Sequence, residues 1–149
     1  MEGVRILNTP FYSITIPSNL EVMPEAVEGA VASLAEHGWI EGEEHFYARL
    51  CLEEAMVNAI THANEEDPWR TVQLKLYDEG AECRIEVQDE GTGEFSPEAV
   101  PEPDPTQLRG RGLKLMRYFM NHVDYSQEDR VLTMRFRRNA FTNGGNCDE

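Results

Sequence analysis

Apolar residues recur along this chain with two periods, and the changes between them divide it into elements. Phe11–Ile16 (FYSITI) has strand composition and stops at Pro17. Ser18-Asn19-Leu20-Glu21 follows, an S-x-x-E pattern that predicts a capping box opening a helix. Val27, Ala30, Val31 and Leu34 then recur at helical spacing, and Gly38 is a fitting stop. A second helix is predicted from about Glu43 to Ala63, closed by Asn64-Glu65-Glu66-Asp67-Pro68. Thr71–Tyr77 alternates, with Val72, Leu74 and Leu76 on one side and Gln73 and Lys75 on the other. Asp78-Glu79-Gly80 predicts a hairpin turn. Ala81–Asp89 alternates again, with Ala81, Cys83, Ile85 and Val87 inward and Glu82, Arg84, Glu86 and Gln88 outward. Glu94–Arg109 carries Pro97, Pro101, Pro103 and Pro105, which opposes regular structure. A long loop in a compact domain often serves as a lid. Leu113–Asn121 reads as a third helix, apolar at Leu113, Leu115, Met116, Phe119 and Met120. Val123–Ser126 and Val131–Arg137 read as closing strands around a turn at Gln127–Asp129, with Leu132, Met134 and Phe136 inward.

The second helix is the odd one. From Leu50 to Ile60 nearly every residue is apolar, and only Glu53, Glu54 and Asn58 interrupt. Such a helix belongs deep in a fold. Glu54 and Asn58 are four apart and share a face, and Thr61 and His62 extend that strip by a turn. Polar groups buried there need partners, which a cation and a polar ligand would supply. Asp89 is in phase with the inward set of its strand, so a carboxylate reaches the core side at the strand's end.

Glu90-Gly91-Thr92-Gly93 follows at once, and Gly110-Arg111-Gly112 opens the third helix. Glycine pairs allow close backbone approach, and a helix N-terminus favours an anion. An inward acid can accept from an exocyclic amine, and an Asn oxygen suits Mg²⁺. Taken singly, each part has a plainer reading. The glycine pairs can be turns, Asp89 a turn cap, and Arg109 and Arg111 solvated charges. Together, in this order, they are the parts of a nucleotide site without a Walker loop or a dinucleotide fingerprint.

The totals narrow the setting. The chain has 149 residues, with 28 acids against 13 bases and a net charge of −15. That balance opposes non-specific nucleic-acid binding and an anionic membrane surface. One domain is expected over residues 11–138, with an arm at 1–10 and a disordered tail at 139–149. Cys51, Cys83 and Cys147 show neither zinc spacing nor a disulfide framework. With no apolar leader and no membrane-length run, a reducing cytoplasm is the expected location.

The boxes carry a resemblance. Glu54-x-x-x-Asn58, Asp89-Glu90-Gly91-Thr92-Gly93 and Gly110-Arg111-Gly112-Leu113 resemble the N, G1 and G2 boxes of the GHKL (Bergerat-fold) ATP-binding domains. Within that superfamily EEAMVNAITHA, VQDEGTG and RGRGLKLMRYFMNHVDY are most similar to bacterial anti-sigma factor serine/threonine-protein kinases, over about Phe11 to Arg138. The chain has no room for the paired phosphoacceptor helices of a histidine kinase, and gyrase-like ATPases are much longer.

The resemblance implies an α/β (α+β) two-layer sandwich, a mixed, mostly antiparallel sheet with helices on one face. It implies ATP and Mg²⁺ as cofactors. Glu54 would be the general base and Asn58 the Mg²⁺ ligand. Asp89 would bind the adenine amine, and Gly91 and Gly93 would admit the nucleotide. Arg109, Gly110, Arg111, Gly112 and Leu113 would cradle phosphates, Glu94–Leu108 would form the lid, and His62 would lie beside the nucleotide. The implied partners are a STAS-type anti-anti-sigma protein as substrate, a sigma factor, and a second copy in a homodimer, with no nucleic acid and no membrane. Glu94 follows Gly93 where the family has an apolar residue, so Phe95 is shifted by one. The rival expectation is an interaction module that uses the nucleotide as a conformational ligand and transfers nothing.

Overall fold

A computed structural model describes residues 9–95 and 112–138. Among them the order is β1 (Tyr12–Pro17), α1 (Met23–Glu36), α2 (Glu44–Val57), a π-helical turn (Asn58–Ala63), β2 (Thr71–Asp78), β3 (Glu82–Gln88), α3 (Gly112–Phe119), β4 (His122–Ser126) and β5 (Val131–Arg137). The five strands form one sheet in the order β1-β2-β3-β5-β4. All four pairings are antiparallel, a simpler case of the mostly antiparallel sheet expected.

Register explains why one face is apolar. Leu74 pairs with Val87, Leu76 with Ile85, Ile85 with Met134 and Cys83 with Phe136. All of these side chains are buried. Their neighbours Gln73, Lys75, Arg84, Glu86, Thr133 and Arg135 stand half-exposed on the other face. A slip of one residue would exchange the two faces, so the pattern fixes the pairing.

The helices cover the apolar face. On α1, Met23, Ala26, Val27, Ala30, Val31 and Leu34 are buried at helical spacing. Gly29 lets this helix approach β1, since a Cβ there would collide with the Tyr12 ring whose hydroxyl donates to the Ala26 carbonyl. Beyond α1, Gly38 takes φ +78° and turns the chain so that Trp39 is buried against Phe136, with ring centroids 6.2 Å apart. The α2 helix buries Ala48, Cys51, Leu52, Ala55 and Met56. Burial pushes the Cys51 thiol up to about 12 and also raises that of Cys83, so both act as small hydrophobes.

Three local expectations are corrected. Ser18 does not cap α1. Its buried hydroxyl donates to the Arg70 carbonyl at 2.9 Å, and the helix begins five residues later at Met23. Asn19 takes the turn instead, its side-chain oxygen accepting from the Glu21 amide at 2.8 Å. Ala81 is exposed in the hairpin turn because β3 begins at Glu82. The second helix does not stay α-helical to Ala63. Its last turn widens to a π-helix, with the Asn64 amide bonded to the Ala59 carbonyl five residues back.

The π turn delivers Asn64, which is fully buried, to the join between helix and sheet. Its Nδ2 donates to Ser18 Oγ at 2.8 Å and to the Thr71 carbonyl at 3.0 Å, and its Oδ1 accepts from the Glu90 amide at 2.8 Å. Replacing Asn64 by alanine strands those partners in a buried place, where each unpaired group is costly. Asn64→Ala is expected to lower unfolding free energy by about 2–3 kcal/mol in urea denaturation. A change below about 0.5 kcal/mol, the scale of an ordinary surface substitution, would show that these bonds hold nothing together.

Candidate nucleotide site

Antiparallel pairing brings five strand ends to one edge of the sheet: the end of β1, the start of β2, the end of β3, the start of β5 and the end of β4. A hollow opens there between sheet and helix. Ala55, Asn58 and Ala59 form its helix wall, one turn apart, and the two small alanines keep that wall low. Val87 and Leu132 form the sheet wall. Asp89, Phe95 and Tyr125 complete it.

The strand phase brings Asp89 into the hollow as expected, at 4% exposure. Its amide donates to the Arg130 carbonyl at 3.0 Å, which extends the β3–β5 ladder one step past β3. Its carboxylate already has three donors. Oδ1 accepts from the Gly91 amide and from Arg130 Nε, each at 2.8 Å. Oδ2 accepts from the Tyr125 hydroxyl at 2.7 Å. Burial first, and then Asp89 as hydrogen-bond acceptor and negative neighbour, push the Tyr125 phenol well above its ordinary value of 10.0.

Asn58 lines the hollow directly, and Glu54 is buried one turn before it on α2. The polar strip ends at Asn58. Thr61 turns its hydroxyl back onto the Val57 carbonyl at 2.7 Å. The wider π turn breaks the four-residue stacking, and His62 is exposed and outside the hollow lining. No group of three histidine, cysteine or carboxylate side chains among the described residues is arranged for a metal. The Asn58 carboxamide at the hollow wall is an oxygen donor of the kind that would suit a hard cation completed by a ligand's phosphates.

Of the two glycines Gly91 is a close-approach position, while a Cβ at Gly93 would meet open space. A Cβ at Gly91 would collide with the Ala63 carbonyl oxygen and with Arg130 Nη2, so only glycine fits. Gly93 is exposed, and its carbonyl accepts from Arg130 Nη1 at 2.6 Å and from Gln127 Nε2 at 3.1 Å. Phe95, one place late in the pattern, supplies the apolar contact, packing edge-on against Tyr125 with centroids 5.2 Å apart. Gly112 and Leu113 open α3. Arg109, Gly110, Arg111 and all but the first two residues of the expected lid lie outside the described residues.

Three residues of the site escape the box pattern: Asn64, Tyr125 and Arg130. Asn64 reads as a helix stop, and Arg130 as a turn charge. Tyr125 is brought to the site by β4 pairing, which sets it opposite Leu132. The rim beyond Asn64 is a tight turn with Glu65 and Glu66 at φ 56° and 54°. It ends at Trp69, which is 91% exposed. Glu90 Oε1 accepts from the Thr71 amide at 2.7 Å and ties this rim to the glycine turn.

A two-layer fold with one antiparallel sheet, helices on one face and an acid-floored hollow at the sheet end defines a Bergerat-type ATPase domain. The chain belongs to the histidine kinase-like ATPase domain family, which it matches over residues 16–136. Membership of that ATPase-domain family implies nucleotide binding. The chain is 32% identical over 89 residues to the serine/threonine-protein kinase BtrW of Bordetella bronchiseptica. That likeness spans 56% of this chain and 63% of the relative's length. Among the described residues no helix is long and apolar enough to cross a membrane.

The raised Tyr125 value carries a pH dependence. Above about pH 10 the unfolded chain releases this proton while the folded chain keeps it, so the stabilisation is complete below pH 10 and is lost as pH rises toward the folded value. Tyr125→Phe removes this share. In urea denaturation the stability gap between wild type and Tyr125→Phe is expected to narrow from about pH 9 to about pH 11. A gap that is constant over that range would mean that Tyr125 titrates as in the unfolded chain.

Proposed function

We propose that the chain is an ATP- and Mg²⁺-dependent serine/threonine protein kinase and an anti-sigma regulatory factor, which phosphorylates a STAS-type anti-anti-sigma protein. The observation that carries the kinase reading is the buried Glu54, one helical turn from Asn58 at the wall of the hollow. A carboxylate held at that place beside the hollow suits a general base toward a substrate hydroxyl. Membership of the histidine kinase-like ATPase family and the likeness to a protein named as a serine/threonine kinase support it. The anti-sigma role and the STAS substrate rest on the similarity of the three motif stretches to that group of kinases.

In this reading Asp89 receives the exocyclic amine of adenine, and the hollow's aliphatic walls cover the base. Asn58 would hold Mg²⁺, whose charge offsets that of the phosphates. Glu54 accepts the proton of the substrate hydroxyl as its oxygen bonds to the γ-phosphorus and the bond to ADP breaks. Such transfer depends mainly on positioning and charge stabilisation, and a general base adds about 10²–10⁴ in rate.

Two variants test the assignment with purified protein and a STAS-domain substrate. Glu54→Gln is expected to cut phosphoryl transfer about 100- to 10,000-fold while calorimetry still shows ATP binding. Robust transfer by this variant removes Glu54 from the chemistry. If instead the wild-type chain binds ATP and never transfers phosphate, the interaction-module reading takes its place. Asp89→Asn is expected to weaken ATP binding at least about tenfold, since a carboxamide cannot replace the charge-assisted acceptor. Unchanged affinity would move the base elsewhere.

A further inference from the structure

We propose that Arg130 is a positioning residue that sets base selectivity, acting through Asp89. This rests on the reading above in which Asp89 receives the base. Arg130 sits at the end of the Gln127–Arg130 turn, 41 residues from Asp89. Its guanidinium spans two segments of the site. Nε donates to Asp89 Oδ1 at 2.8 Å, and Nη1 donates to the Gly93 carbonyl at 2.6 Å. One side chain therefore fixes both the acid and the glycine turn beside it.

Two features at Arg130 cost stability, although its amide closes the β4–β5 turn on the Ser126 carbonyl at 2.7 Å. Its backbone is left-handed, at φ 61°, where a glycine would be relaxed. Its Nη2 is buried with no acceptor among the described residues, and a buried charged donor left unpaired is expensive. Costs of this kind persist where a site requires the geometry. Gly91 provides the complementary space, since any Cβ there would displace Nη2.

Counting acceptor sites gives the consequence. A carboxylate offers about four lone-pair directions and, when ionised, accepts only. In Asp89 two are filled on Oδ1, by Arg130 Nε and the Gly91 amide, and one on Oδ2, by Tyr125. Among the described residues one acceptor direction remains, on Oδ2, the oxygen shared with a residue of the hollow wall. The ion pair with Arg130 fixes the direction in which that remaining acceptor site points. A base with an amino group at that position is held. A base with a keto oxygen there meets a second acceptor and is rejected, as sites built on one buried polar contact do.

The test is calorimetric titration of the full chain with three ligands: ATP, ITP (a keto group in place of the amine) and inorganic tripolyphosphate. The wild type is expected to bind ATP more tightly than ITP. Arg130→Met is expected to lose about 10- to 100-fold in ATP affinity while ITP and tripolyphosphate change less than about threefold, so the ATP-to-ITP preference collapses. Arg130→Lys keeps the charge but lacks the fork, and should recover part of the preference. It also decides the matter if Arg130→Met does not fold. A preference retained in these variants, or an equal loss for all three ligands, overturns the proposal and makes Arg130 a scaffold residue. A wild type that binds ATP no better than ITP removes the base-binding reading of Asp89 itself, and the role of Arg130 with it.

Discussion

The buried carboxamide of Asn64 joins the parts on which everything else rests. Through three hydrogen bonds it ties the end of the helical layer to Ser18 after β1, to Thr71 at the start of β2 and to Glu90 before the glycines. An amide suits this task because it donates and accepts at once. A carboxylate would set lone pairs against the Thr71 carbonyl oxygen, and an aliphatic side chain would strand three polar groups. The helix wall of the hollow and its acid floor are thereby held in fixed relation. Neither layer alone could do this, since the sheet positions Asp89 and the helix positions Asn58.

That dependence makes sense of the π turn. A regular α-helix to Ala63 would continue the stacking of Glu54 over Asn58 over His62. The wider turn ends this row, leaving His62 in solvent and bringing Asn64 under the sheet. Extra-wide turns are tolerated in helices where a site gains from the new direction. Here the gain is structural: the residue redirected is the joint itself. The acid at the other wall is served by a different device, a guanidinium and a phenol from the β4–β5 hairpin.

What could be read in the sequence follows from the range of each interaction. Strand alternation has a period of two, so the inward phase of Asp89 is legible within its own strand. The Glu54–Asn58 pair is legible because a four-residue spacing is local to one helix. The S-x-x-E reading at Ser18 fails because a four-residue pattern cannot reveal that its hydroxyl donates to the Arg70 carbonyl and accepts from Asn64, 52 and 46 residues away. The π turn has no mark in Asn58–Ala63, whose composition suits an ordinary helix end. Tyr125 and Arg130 reach Asp89 across 36 and 41 residues, and only the register of β3, β5 and β4 brings them there. Box patterns name the atoms a nucleotide meets; they do not name the side chains that aim those atoms.

The two tryptophans occupy opposite extremes of this architecture. Trp39 is shut in the core against Phe136, at 1% exposure, while Trp69 stands in solvent on the rim joined through Thr71 and Glu90 to the glycine turn. Indole emission follows the polarity around the ring, so the chain carries an internal reference and a surface reporter in one spectrum. A soluble quencher reaches Trp69 and leaves Trp39 dark to it. The remaining accessible signal then comes from a single indole at the edge of the nucleotide site, and whatever settles against that edge must change it first.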